Sequence, residues 1–547
     1  MGRIEAGVDL ILSGGRIWTE CPAQPEVEAI AISGNKIVAI GTTTDIDGLR
    51  TARTKVIQLH GRRVVPGFND AHVHFYYGGA SLRSVQLRTA KSKDEFRDRI
   101  AKFAQKIPNG EWILLGEWDP QAWPQPDLPT HELIDDVTPD NPVFVNRVDA
   151  HTMLANSVAM KLGGVDRNTP DMPGGVIGRH SDGRPNGIFI DSTKSLIERA
   201  IPPLTLGQMM TSLKAAQAHA FQFGVTSIQD MGFVVPIIQQ RTIDLFQAYQ
   251  QLHKEGDLKI RVALHTPLPL WKVLADLGVM SAFGDETLQI GGLKGFADGS
   301  LGSSTAWFLE PYSDNPKNSG GPSDELTDPG GMYATMSGGD AAGLQLAIHA
   351  IGDRANRMIL DSFERITSSH LQRDRRFRIE HAQHVHPSDF TRFSKMRVVA
   401  SMQPYHCIDD GRWACGRIGP ERSKAAWPTR SLLDAGVRLA FGSDWWVAPI
   451  DPLAGIYAAT TRRPIDGSHP EGWVPEQKIS VQEAVHAYTV GSAFASFQEN
   501  VKGSLEPGKL ADIAVLSEDI FNIPAEDIAR VQVATTIAGG EVVFDRD

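Results

Sequence analysis

The chain has 547 residues, of which 41% are hydrophobic and 22% charged, with a formal charge of −11 at pH 7. That length exceeds one ordinary domain, and the composition suits a packed globular protein rather than a disordered chain. A mild negative charge without a basic stripe argues against nucleic acid or an anionic membrane as partner.

The N-terminus carries Glu5 and Asp9 and lacks the apolar core of a secretory signal. No run approaches the ~20 apolar residues that span a bilayer, so a cytoplasmic protein is expected. Val8–Leu12, Arg16–Thr19, Ala29–Ile32 and Lys36–Gly41 are apolar runs broken by glycine and asparagine, which suits β-hairpins. The C-terminus repeats that texture at Asp512–Leu516, Val531–Ile537 and Glu541–Phe544. One small β-sandwich built from residues 1–63 and 490–547 is the economical reading. Cys21, Cys407 and Cys415 include no CxxC pair, so free thiols are expected.

Between the ends, strand and helix patterns alternate over residues 64–489, which favours a parallel sheet with crossover helices. Strands are predicted near 64–74, 225–230, 259–265, 289–297, 345–350, 377–381, 397–403 and 438–443. Eight such units close a (β/α)8 TIM-type barrel, an α/β fold. Residues 75–224 separate the first two strands, where a βα unit needs only about 30. An insertion over roughly 78–205 is therefore expected after strand 1, on the catalytic face, as a lid or substrate wall.

The first strand ends in His72 and His74. Residues two apart on a strand project from one face, so both imidazoles can reach one metal ion. Two half-buried histidines bonded to carbonyls would read the same way. Later strands end near Lys294, His349, His381 and Asp444, and strand C-termini ring the mouth of such a barrel. Each has a plainer reading as well. Asp444 could cap a helix, and Lys294 could pair with Asp298. Asp70, just before the HxH pair, is expected to orient a histidine. A second HxH, His384 and His386, runs into Pro387 and is read as loop or helix start.

With those residues in view, the chain resembles the amidohydrolase superfamily, in the branch with N-substituted formamide deformylases and YtcJ-like proteins. PGFNDAHVH (66–74), VDAHTMLANSVA (148–159), KGFADGSLGSSTA (294–306), IHAIGDRA (348–355), IEHAQ (379–383), GSD (442–444) and GSLEPGKLADIAVL (503–516) carry the likeness. The resemblance implies two metal ions per chain, commonly Zn2+. His72, His74 and Asp444 would hold one, and His349 and His381 the other. A CO2-derived carbamate on Lys294 would bridge them. A desolvated lysine loses its proton more easily, and the neutral amine can then take up CO2 and become an oxygen ligand. The implied chemistry is hydrolysis of the C–N bond of a small linear amide, an N-substituted formamide or N-acyl amine, by a metal-bridging hydroxide. Asp444 would shuttle the proton, and His151 could hydrogen-bond the substrate carbonyl or simply bond backbone. Asn69 and Glu117 depart from the family pattern and bear on substrate range.

Aromatic residues crowd the expected mouth, and Tyr76, Trp118, Trp307 and Trp445 are taken as substrate-binding walls. A heterocycle deaminase is a competing reading, but its usual glutamate after the strand-5 histidine is missing from Ala350-Ile351-Gly352-Asp353. Ester, carbamate or lactone hydrolysis stays open. A decayed, non-enzymatic scaffold would have lost ligands that this chain keeps. The expected partners are a small amide substrate and a second copy of the chain, as a homodimer.

Overall fold

Eight apolar runs form eight parallel strands, each hydrogen-bonded to the next in chain order: β1 (Phe68–Val73), β2 (Val225–Asp230), β3 (Arg261–Pro267), β4 (Leu288–Phe296), β5 (Leu346–Ala350), β6 (Arg378–His381), β7 (Val399–Met402) and β8 (Leu439–Phe441). Their near-continuous burial reflects one face turned into the packed barrel interior and the other covered by crossover helices. The helix Asp353–Ser369 shows why: Ala355, Ile359, Leu360, Phe363 and Ile366 fall on one buried stripe. The seam between β8 and β1 is closed by Asp444 N–H donating to the His72 carbonyl (2.7 Å) and His74 N–H donating to the Trp445 carbonyl (2.6 Å). The computed structural model describes residues 7–546 except 121–122, 126, 148–151, 173–174, 234–238, 324 and 326–330.

The run expected as one strand over 64–74 is two. Arg63–Pro66 pairs with Arg16–Trp18 and Ile513–Leu516, and only Phe68–Val73 enters the barrel. Gly67 is the joint: a Cβ there would lie 2.3 Å from Thr226 Oγ1, so no larger residue fits between the two sheets.

Strands from both ends of the chain build two further sheets. One orders residues 36–41, 29–33, 10–13 and 55–58; the other orders 541–545, 533–538, 513–516, 63–66, 16–18 and 26–27. They share one apolar core in which Leu12, Ile30 and Ile32 meet Val64, Ile513 and Val515.

Below β2, Lys502 is buried and donates to Ser227 Oγ at 2.8 Å. Burial, with help from Arg261, lowers its ammonium to about 7. In the unfolded chain a lysine titrates near 10.4, so between these values the unfolded state holds more protons and stability rises with pH. Lys502→Met is therefore expected to be more stable than wild type at pH 7. By pH 9 the gap should narrow by about 2 kcal/mol, as read from denaturant midpoints at the two pH values.

Residues 77–215 form a second compact unit. Its sheet orders 175–179, 185–191, 152–155, 143–146 and 113–114. The helix Lys93–Ala104 starts at Ser92, whose hydroxyl accepts from Glu95 N–H, and buries Phe96 and Ile100. No helix among the described residues is long and apolar enough to cross a membrane.

Candidate metal centre

The ends of β6 and β8 turn sharply, and those turns help set the site. His381 and Asp444 both adopt left-handed backbone, at φ 75° and 60°, a conformation that costs energy for non-glycine residues and clusters at functional sites. Gly442 allows the close approach of β8 to β1, since a Cβ there would sit 2.5 Å from His72 N.

Each imidazole is held by one nitrogen, which fixes where the other points. His72 Nδ1 lies 2.6 Å from Glu380 Oε2, His74 Nδ1 lies 2.9 Å from the Gly232 carbonyl, and His381 Nδ1 lies 2.7 Å from Gln403 Oε1. The Nε2 atoms of His72 and His74 then stand 3.6 and 3.4 Å from Asp444 Oδ1. His349 is held the other way round, its Nε2 3.1 Å from the Gly299 carbonyl, so Nδ1 is the atom left for a ligand. The rings form a chain of close neighbours. Centroids are 5.5 Å apart for His72 and His74, 4.8 Å for His72 and His381, and 4.5 Å for His349 and His381.

At the barrel mouth, among the described residues, two trios have ligand atoms within 4.8 Å of one another: His72, His74 and Asp444; and His381, His406 and Asp444. Asp444 thus belongs to both. His406, on the helix Pro404–Asp410, carries no sequence signal, and in the second trio it stands where His349 was expected. His349 adjoins that trio through His381.

Lys294 reaches the centre from within β4, buried, with Nζ 4.9 Å from the Phe296 ring centre. It does not pair with Asp298, whose carboxylate accepts the backbone N–H groups of Ile351, Gly352 and Trp307. Burial lowers the Lys294 ammonium to about 8. Burial, then the Lys294 charge, lowers His72 to about 4 and His349 to about 3. His381 falls well below the usual imidazole range, through burial and then His349. Burial pushes Asp444 up, but His72, His74 and His381 together hold it well below the usual carboxylate range. The result is neutral His72, His349 and His381 facing an ionised carboxylate, the protonation states a divalent cation requires of its ligands.

Beneath the rings, Arg378 donates to both oxygens of Glu380 (2.7 and 3.1 Å), to the Ala71 carbonyl and to Gln229. That buried cation keeps Glu380 ionised against its burial, so the carboxylate can fix the His72 ring. Asp70 has a different task from the one expected. It accepts from His72 N–H (3.1 Å), Ser443 N–H (2.9 Å) and Ser443 Oγ (2.5 Å), tying β1 to β8 and leaving the imidazole to Glu380.

The expected substrate walls scatter. Tyr76 is buried against Phe233. Trp445 is turned into the core, stacked on His219 at 5.3 Å and edge-on to Phe75. It is Trp446, half-buried, whose ring meets His74 edge-to-face at 6.0 Å. Trp307 is half-buried under the Arg354 guanidinium, 5.4 Å from its ring centre. Trp118 is a core residue of the 77–215 unit: its indole is fully buried, stacks with Trp123 and donates to the Val145 carbonyl. His151 lies outside the described residues. His384 and His386 are loop residues that line a separate cavity of about 540 Å³ with Phe308, Phe390 and Arg422.

Comparison with known proteins gives a consistent picture. The sequence matches the Amidohydrolase family over residues 55–544. It is 37% identical over 538 residues to Protein LONG AFTER FAR-RED 3 of Arabidopsis thaliana, covering 98% of this chain and 91% of that one. It is 25% identical to the N-substituted formamide deformylase of Arthrobacter pascens, covering 98% of each. The crystal structure of an uncharacterized metal-dependent hydrolase from Pyrococcus furiosus superposes with a TM-score of 0.77 at 29% identity, over 94% of this chain and 100% of that one.

Proposed function

The chain belongs to the amidohydrolase family, as a metal-dependent hydrolase of carbon–nitrogen bonds, and from that premise we propose that it hydrolyses small linear amides, N-substituted formamides first among them. One observation carries the reading. Around a single carboxylate, His72 Nε2, His406 Nε2, Lys294 Nζ and Asp444 Oδ1 are buried without a hydrogen-bond partner. Orphaned polar atoms at that density are costly unless a ligand satisfies them.

Divalent cations fit this donor set of imidazoles and carboxylate. His72, His74 and Asp444 would hold one, and His381, His406 and Asp444 a second, with Lys294 as a carbamate and His349 at its edge. Bound there, the cations would lower the pKa of water toward neutrality and polarise a carbonyl. The remaining work falls to side chains of the chain. Asp444, ionised at neutral pH, accepts the proton of the attacking water and returns it to the amine nitrogen as the C–N bond breaks, so that one water and one amide become one acid and one amine. Trp446 offers a flat apolar surface beside His74, suited to an aromatic N-substituent. The formamide class rests on the full-length likeness to the Arthrobacter deformylase.

The test is a screen of the Zn2+-loaded protein against N-benzylformamide, N-benzylacetamide, phenyl acetate and aminated heterocycles. Formate released with benzylamine is the expected result. Ammonia from the heterocycle, with the formamide untouched, would replace this reading by deamination. Turnover of the ester alone would reassign the substrate to the oxygen analogue.

A further inference from the structure

We propose that the inserted unit carries a metal site of its own, formed by His131, Glu132 and His180 and suited to Zn2+ or a neighbouring transition-metal dication. The three come from two local elements. His131 and Glu132 open the turn His131–Leu133, and His180 begins the turn that joins Gly175–Arg179 to Pro185–Asp191. Their ligand atoms lie within 4.8 Å of one another. Glu132 Oε1 is 3.2 Å from His131 Nε2 and 2.9 Å from His180 Nε2.

The contacts of His131 fix how its ring is turned. Its Nδ1 lies 2.7 Å from Asp135 Oδ2, and that carboxylate also accepts from the Ser157 backbone N–H and hydroxyl. The acceptor at Nδ1 holds the ring so that Nε2 faces the Glu132 carboxylate. A cation seated between Nε2 and Glu132 Oε1 would satisfy both atoms. His180 Nε2 adds a second instance: it is buried, close to the same oxygen, and makes no hydrogen bond. Asp135 behind His131 is the arrangement that orients and strengthens metal-binding imidazoles.

Geometry and chemistry fit together. Ligand bonds of about 2.0–2.1 Å in a tetrahedron put donor atoms about 3.3 Å apart, close to the two separations seen here. Two imidazoles and one carboxylate are the donors that zinc, nickel and cobalt prefer over calcium or magnesium. The Glu132 side chain is 49% exposed, so water completes the shell and the ion exchanges with solvent. The strand 175–179 is at the sheet edge, paired on one side only. A shared ion would staple its hairpin to the 131–137 segment, holding an edge that would otherwise fray. The role is structural and does not rest on the hydrolytic reading.

The experiment counts zinc on the full chain after chelator stripping, titration with Zn2+ and gel filtration, in wild type, His180→Ala and His131→Ala/His180→Ala. Both variants are expected to hold one Zn2+ fewer per chain than wild type and to keep wild-type turnover. Hydrogen exchange of wild type with and without Zn2+ gives a second readout independent of the variants. Amides of 131–137 and 176–184 are expected to slow about tenfold with zinc. Equal zinc counts in all three proteins would overturn the site. So would unchanged exchange in those two segments, which would leave His131 and His180 as a protonated ion pair with Glu132.

Discussion

Asp444→Asn is expected to lower kcat by about 10²–10⁴-fold while the fold survives. Asp444 is the one carboxylate common to both histidine trios. Asparagine keeps its shape but cannot take a proton from water, and it removes the negative charge opposite three imidazoles. It also tolerates the left-handed φ of 60° at this position, as asparagine and aspartate do better than most residues. Loss of activity should therefore come without loss of structure. Steady-state kinetics, metal content and thermal unfolding of the same preparation separate the two. An unchanged kcat at full metal occupancy would remove Asp444 from the proton path. Asp444→Ala is expected to be the less stable of the two variants, because alanine bears the backbone strain without the side-chain compensation.

Lys294→Met should abolish detectable turnover and lower metal affinity at least as far as the ~10–100-fold typical of losing a group that only orients a ligand. Methionine fills the same buried channel, so packing against Phe296 persists while the nitrogen is removed. Lys294 Nζ is buried without a hydrogen-bond partner, and Asp298 is fully engaged with backbone donors. No ion pair is lost, and a merely structural lysine would make this variant neutral or stabilising. If the amine acts as a carbamate, wild-type reconstitution should depend on bicarbonate as well as on metal, and the variant's should not. Millimolar acetate, which offers a similar pair of oxygens, should restore part of the variant's metal binding. Wild-type assembly that ignores bicarbonate would leave the lysine uncarboxylated.

The barrel was legible because its strands are buried on both faces, so each reads as a short apolar run between turn residues. The four-residue strand Val399–Met402 is the weakest of the eight in sequence, because so short a run carries little pattern, whereas Leu288–Phe296 spans nine residues. Where two sheets share one uninterrupted run, as around Gly67, hydropathy has nothing to mark the change, and only the clash with Thr226 shows it. The candidate site residues that end strands can be proposed from sequence, since the fold sends every strand C-terminus to one face. His406 escaped because it sits on a helix, where neither alternation nor an HxH spacing applies. Glu380 lies beside His381 in the chain yet holds His72 from below, a pairing created only by closure of the barrel. Trp445 and Trp446 show the limit most plainly: adjacent residues point oppositely, and after the left-handed turn at Asp444 it is the second indole that meets the His74 ring.

The pairing of Arg63–Pro66 with Ile513–Leu516 has a bearing on biosynthesis. A ribosome adding 5–20 residues per second needs roughly 20–90 s to pass from one strand to the other. Throughout that interval Arg63–Pro66 lacks its C-terminal partner and offers open backbone groups to any passing strand. Stalled or prematurely terminated translation should therefore yield sticky, protease-sensitive fragments, and production in a cell should respond to chaperones that shield nascent chains.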